Sequence, residues 1–240
     1  MGISFPYKKF ELVDGHGREI HKLRISLLDA CNMSCLYCMP EKKDFLAKNN
    51  WASAEEIVEI AGNLVLYGID QIRLTGGEPL LRPDLRTIIK KLDKLPLAKF
   101  GLTTNAIHLD RELSFLKNTN CQHLNISLDS LDRENFFKIT QTDTFAKVFH
   151  SLMKAQEAGL KVKINTVLLK GLNDHEIDQF ILFSKKTGIE VRFLELMKIG
   201  VANHYFTKHF ISADEIIKKM ELKWDFQQRP MPKDSTSFNF

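Results

Sequence analysis

From Ile20 to Leu196 the chain alternates short β-branched or apolar runs with longer segments in which apolar residues recur at helical spacing. That alternation is the signature of a parallel sheet built from repeated strand-helix units. Six units are legible. Strands are predicted at His21 to Leu28, Gln71 to Thr75, Lys99 to Thr104, His123 to Asp129, Lys161 to Leu169 and Glu190 to Leu196. Helices are predicted near Ala54 to Tyr67, Asp84 to Leu92, Leu109 to Leu116, Phe145 to Ala158 and His175 to Lys186. Ser53 with Glu56, Asn173 with Glu176 and Ser212 with Glu215 each set a capping residue three positions before a glutamate, which predicts a helix start. Past Lys223 the pattern fails, and the stretch with Pro230 and Pro232 reads as loop or disorder. The organisation expected is an irregular lead-in over 1–20, a core over 21–200, and a shortened C-terminal segment over 201–240 with a short helix and a tail.

Within a parallel strand covered by helices, one parity faces the helices and the other faces the interior of a barrel or half-barrel. Leu23, Ile25 and Leu27 oppose Arg24 and Ser26; Ile72 and Leu74 oppose Arg73 and Thr75. Leu124, Ile126 and Leu128 oppose Asn125, Ser127 and Asp129, and Val162 and Ile164 oppose Lys163 and Asn165. The sixth strand fits less well, because Glu195 and Met197 share parity with Val191 and Phe193. A closed barrel fills its interior with bulky aliphatic layers, so a face bearing Arg24, Arg73, Lys163, Asn125 and Ser127 predicts a partial, open TIM-type barrel of α/β class around a polar ligand. Three cations converging from three strands need counter-charge, from a phosphorylated or carboxylated small molecule or from the acids Asp129 and Glu195.

With 240 residues, 44% of them hydrophobic, the chain can bury one substantial core. A net charge of +4 against 30 acidic residues gives no broad basic face, so nucleic acid is not an expected partner. No apolar window is long enough to span a membrane and no basic-then-apolar leader is present, which sets the expected location in the cytoplasm. In a reducing compartment the clustering of Cys31, Cys35 and Cys38 points to metal rather than to disulfides. Zinc sites present cysteines in pairs with a second pair or histidines, whereas these three stand at gaps of three and two residues with no fourth nearby. Three thiolates leave one iron of a four-iron cube open, since the cube takes four. Cys121 reads as a small buried residue, and His204 and His209 as packed or solvated side chains. Gly76-Gly77-Glu78-Pro79, directly after the second strand, offers glycines where a backbone must approach a ligand closely.

The Cys-x3-Cys-x2-Cys segment, with Tyr37 before its last cysteine, resembles the signature of the radical S-adenosylmethionine (SAM) superfamily, and Gly76 to Pro79 resembles its second motif. Arg18 to Pro40, Ile72 to Arg82, Thr103 to Asn105, Asn125 to Leu131, Val162 to Val167 and Arg192 to Met197 together resemble the GTP 3',8-cyclases of molybdenum-cofactor biosynthesis. The resemblance implies one 4Fe-4S cluster on Cys31, Cys35 and Cys38, whose open iron chelates SAM and whose electron releases a 5'-deoxyadenosyl radical. By it, Tyr37, Gly77, Ser127 and Met197 contact SAM, with Gly76 and Glu78 holding its amino group, while Arg24, Arg73, Thr103 and Lys163 contact GTP. It implies an electron donor such as flavodoxin or ferredoxin, a homodimer, and hydrogen abstraction at the ribose C3' followed by ring closure onto guanine C8. Members of that family carry three further cysteines for a second cluster in a C-terminal region, and no cysteine follows Cys121 here. The expectation is that cofactor cleavage survives better than GTP cyclisation. A radical SAM enzyme for another substrate, or a non-catalytic nucleotide-binding partner of an intact cyclase, are the alternatives. Which residues take part in the chemistry itself, beyond binding, the sequence leaves open.

Overall fold

The computed structural model describes residues 11–40, 42, 44–230 and 239–240. The expected loop character of 231–238 and of the start of the lead-in lies outside them. Six strands, β1 (Lys22–Ser26), β2 (Gln71–Thr75), β3 (Lys99–Thr104), β4 (His123–Ser127), β5 (Lys161–Val167) and β6 (Glu190–Leu194), pair in parallel and in chain order. β1 and β6 each pair with one neighbour, so the sheet is open. Around it lie α1 (Ala54–Leu66), α2 (Leu85–Leu92), α3 (Leu113–Lys117), α4 (Arg133–Thr140), α5 (Phe145–Glu157), α6 (Ile177–Thr187), α7 (Ala202–His209) and α8 (Ala213–Glu221).

The apolar strand parity forms the core. Ile72, Leu74, Phe100, Leu102, Leu124, Ile126 and Ile164 are buried in one cluster with Ile57, Ala61, Ile88, Leu92, Leu152 and Phe180 from the helices. α1 starts at Ser53, whose hydroxyl accepts from the Glu56 amide while the Glu56 carboxylate accepts from the Ser53 amide, and α8 starts in the same way at Ser212 and Glu215. Four strands stop two residues short of the apolar runs that predicted them. One more ladder bond follows β1, β4 and β5, from the amides of Leu27, Leu128 and Leu168 to the carbonyls of Thr75, Asn165 and Leu194. Beyond that the chain leaves the sheet to build loops at its C-terminal edge.

The helix predictions need correction in three respects. The Leu109 to Leu116 helix is a 3-10 turn over Leu109–Glu112 followed by the five-residue α3. α4 and α7 were not expected, although Asp132 caps α4 by accepting from the Asn135 amide. Asn173 and Glu176 are not a capping box. Asn173 instead accepts from the Leu169 amide and donates to the carbonyls of Asp129 and Val167. The Glu176 carboxylate, fully buried, accepts from the Ser130 hydroxyl, the Leu131 amide and the Asn135 side chain. This network ties the β4 exit and α4 to the start of α6. Glu176→Ala strips the Leu131 amide of its acceptor and leaves Ser130 and Asn135 only the carbonyls of Asp132 and Leu172, and is expected to cost about 2–3 kcal/mol in a urea unfolding measurement.

Candidate active site

The loop Asp29 to Pro40 leaves β1 and is held from four sides. From β2, the amides of Gly77 and Glu78 donate to the carbonyls of Leu28 (2.7 Å) and Ala30 (2.8 Å). The approach is so close that a methyl group on Gly77 would stand 2.5 Å from the Asp29 carbonyl oxygen and closer still to that of Ala30. Gly76 has φ +146°, a conformation that side chains disfavour. Both glycines are thus needed by the chain itself, at the crossing of the two loops. Glu78, 1% exposed, accepts from the amides of Leu80 and Asn105 and from the Thr104 hydroxyl, which ties the β2 exit to the β3 exit. Burial raises its pKa against those hydrogen bonds.

From β3, the Asn105 side-chain amide donates to Asn32 Oδ1 (2.8 Å) and lies 3.7 Å from Cys31 Sγ. From β4, Asp129 accepts the Tyr37 hydroxyl at 2.6 Å and the Val167 amide at 2.9 Å. Burial lifts the Asp129 pKa to about 6, with both hydrogen bonds opposing the shift. From α4, the carbonyls of Thr140 and Ile139 accept the amides of Ser34 and Leu36. The unpredicted helix is therefore one wall of the cysteine loop.

The three cysteines are free thiols and electrostatic neighbours. Burial pushes all three up; Cys35 is raised further by Asp129, Cys38 and Cys31, and Cys38 by Cys31 and Asp129. Among the described residues no three His, Cys, Asp or Glu side chains are arranged to hold a single metal ion. The ligands of a four-iron cube sit on separate corners and need no common point, so this donor set suits the cube. Cys121 is buried in the core, as expected of a small apolar residue.

Below this loop, along the concave face of the sheet, the register aligns Arg24, Arg73, Gly101, His123 and Lys161 across β1 to β5. A second row carries Thr103, Asn125, Lys163 and Glu190, and Asn165 stands opposite Arg192. The Arg73 guanidinium reaches across β3 to the carbonyls of Leu102 (3.3 Å) and His123 (3.4 Å). Burial lowers its pKa, and so do Arg192 and Arg24. Lys99 is lowered by burial and by Lys163, Arg73, Arg192 and Lys22. The cations of separate strands therefore face one another across the lumen. Their counter-acid is Glu190, which pairs with both Lys163 and Arg192. It is neither Asp129, which is committed to Tyr37 and Val167, nor Glu195, whose carboxylate accepts the Ala213 amide.

Residues 25–184 match the model of the Radical SAM superfamily. Over 99% of its length the chain is 42% identical to the GTP 3',8-cyclase of Synechocystis sp., spanning 72% of that protein. It is 38% identical over 95% of its length to that of Aquifex aeolicus, spanning 73%, and 42% identical over 87% to that of Clostridium botulinum, spanning 66%. The chain belongs to the GTP 3',8-cyclase family of radical SAM proteins. Solved structures agree on the fold. Streptococcus suis SuiB bound to S-adenosylmethionine superposes with a TM-score of 0.69 at 19% identity, over 84% of this chain and 47% of that one. Archaeal TYW1 superposes with a TM-score of 0.57 at 17% identity, over 90% and 76%.

In this radical SAM chain Tyr37, Gly76, Gly77, Glu78 and Ser127 gather at the C-terminal edge of the sheet around the cysteine loop, while Arg24, Arg73, Thr103 and Lys163 line its concave face. Met197 stands apart, 68% exposed and beyond the end of β6. Sequence reasoning missed Arg192, Lys99, His123 and Asn105. Arg192 was hidden because parity in the last strand was carried on to Glu195 and Met197, which lie outside it; its opposition to Val191 and Phe193 was the available signal. Of the two histidines set aside, His209 is packed, its Nδ1–H donating to the Lys170 carbonyl, and His204 is exposed.

Proposed function

We propose that this chain cleaves SAM reductively at one 4Fe-4S cluster held by Cys31, Cys35 and Cys38, and directs the radical to GTP as a GTP 3',8-cyclase. The observation that carries this reading is a pinned three-thiol loop at the mouth of a lumen whose cations converge from five strands. When bound, the cluster and SAM supply a 5'-deoxyadenosyl radical. Tyr37, Gly76, Gly77, Glu78, Ser127 and Met197 are the residues assigned to SAM. The Gly76-Gly77 backbone is fixed against the cysteine loop, so cofactor and cluster ligands keep one relative position. Arg24, Arg73, Thr103 and Lys163, joined by Arg192, take the triphosphate deep in the lumen. That polarity would turn the ribose toward the mouth, where the radical's hydrogen abstraction would take place.

Residues 21–200 are taken as the catalytic core. A flavodoxin or ferredoxin as electron donor, a homodimeric assembly and a cytoplasmic setting complete the reading; no helix among the described residues is long and apolar enough to cross a membrane. Anaerobic reconstitution with iron and sulfide, followed by reduction and addition of SAM with and without GTP, tests it. About four irons per chain and 5'-deoxyadenosine are expected, with cyclised nucleotide in smaller yield because no cysteine after Cys121 is present to hold a second cluster. Deoxyadenosine without cyclised nucleotide keeps the cleavage half of the reading and removes GTP cyclisation from it, and absence of deoxyadenosine overturns the enzyme reading.

A further inference from the structure

His123 opens β4 on the lumen side, alternating with Leu124 and Ile126, which point into the core. Its register partners are Gly101 on β3 and Lys161 on β5. Gly101 lets β4 approach closely at this point: a methyl group there would lie 2.8 Å from His123 Cβ and closer still to its carbonyl oxygen. The imidazole is half-buried, and none of the hydrogen bonds found among the described residues engages its ring nitrogens. The charges that face it come from every neighbouring strand: Arg73 from β2, Lys99 from β3, Lys161 and Lys163 from β5, with Glu190 of β6 paired to Lys163. A base ringed by four cations and no anion of its own is kept neutral. An imidazole whose two nitrogens have no partner among the described residues is, in that setting, a ligand waiting for negative charge.

We propose that His123 is a further ligand of the polyphosphate and takes up a proton from solvent as the anion enters the lumen, coupling nucleotide binding to pH. The inference rests on the reading of the lumen as a nucleotide site and names a mode of recognition within it. In the empty lumen, burial first and then Lys99, Lys161, Arg73 and Lys163 depress the ring to about 4, so it is uncharged at neutral pH. A polyphosphate reverses the field, because each of those cations acquires a counter-charge and the ring gains an acceptor for its N–H. The sign follows from linkage: the complex binds more protons than the free protein, so affinity rises as pH falls through the ring's pKa in the complex.

The test uses the full chain with inorganic tripolyphosphate as probe and GTP beside it. Ring-labelled histidine is titrated by NMR, with the His123 resonance assigned from its loss in His123→Gln. A ring that titrates near 4 alone and at least about two units higher at saturating tripolyphosphate is the expected result. Calorimetry in buffers of different ionisation heat should show greater proton uptake by the wild type than by His123→Gln. The ratio of their affinities should grow as pH falls from 7 to 5, by up to roughly tenfold per unit for one fully linked proton. The ligand's own protonation cancels in that ratio. If tripolyphosphate saturates the lumen while the His123 titration stays where it was, this inference falls and the nucleotide reading stands. If neither tripolyphosphate nor GTP binds, both fall. The NMR readout in the wild type decides the matter even where the variant folds poorly.

Discussion

Cys35→Ala is expected to abolish iron loading and deoxyadenosine formation while leaving the fold in place. Two separate observations set this contrast. The loop around Cys35 is held by its backbone: the Ser34 and Leu36 amides bond to α4, and the Cys38 and Met39 amides bond to the Cys35 carbonyl, all at 3.0 Å. None of these bonds uses the thiol, so unfolding of the iron-free variant should stay within about 1 kcal/mol of wild type. The thiol is nonetheless the middle member of the three, and its charge is felt through Asp129, Cys38 and Cys31. Two thiolates cannot anchor a cube that already lacks its fourth cysteine, so iron should drop from about four per chain to near none. Iron analysis, the cluster's visible absorption and deoxyadenosine assay read the loss directly. Cys121→Ala is the matched control: it removes a thiol buried in the core, away from the loop, and should retain iron. Retention of iron and turnover by Cys35→Ala would take the cluster away from this loop.

How far these features were legible follows from which of them are local. The parallel sheet was readable because each strand is a short apolar run flanked by helical spacing, and the lumen was readable because parity survives in every strand that truly alternates. Arg24, Arg73 and Lys163 were found in this way. The cysteine motif was legible from spacing alone. What stayed hidden depends on pairs distant in sequence. Tyr37 meets Asp129 across 92 positions, and Asn105 meets Cys31 across 74. Glu176 carries the local mark of a helix cap and is instead drawn 46 positions back to Ser130 by the need to satisfy buried donors. α4 was overlooked because the apolar pattern of α5 is longer and stronger, yet its last carbonyls are what the cysteine loop binds. The glycines show the same division: two adjacent glycines before a glutamate were visible, but the backbone they make room for was not.

That last point carries the second large effect. Gly77→Ala is expected to lose about 1–3 kcal/mol of stability and most of the iron-binding capacity together. The added methyl group would overlap the Asp29 and Ala30 carbonyls, and neither is the end of a flexible side chain that could swing away. Relief requires the β1 loop and the β2 loop to part, which breaks the Gly77 to Leu28 and Glu78 to Ala30 hydrogen bonds. Cys31 follows Ala30 directly, so the first thiolate is displaced whichever loop gives way. Gly62→Ala separates this from a generic cost of removing glycine. Gly62 lies within α1, where an added Cβ meets only Leu95 Cδ2 at an ordinary 3.9 Å, so the change should stabilise by about 0.5–1 kcal/mol and leave iron content unchanged. Urea unfolding with parallel iron analysis on both variants gives the comparison. If Gly77→Ala loads iron like wild type, the crossing of the two loops does not position the cysteines, and the glycine pair answers to the cofactor instead.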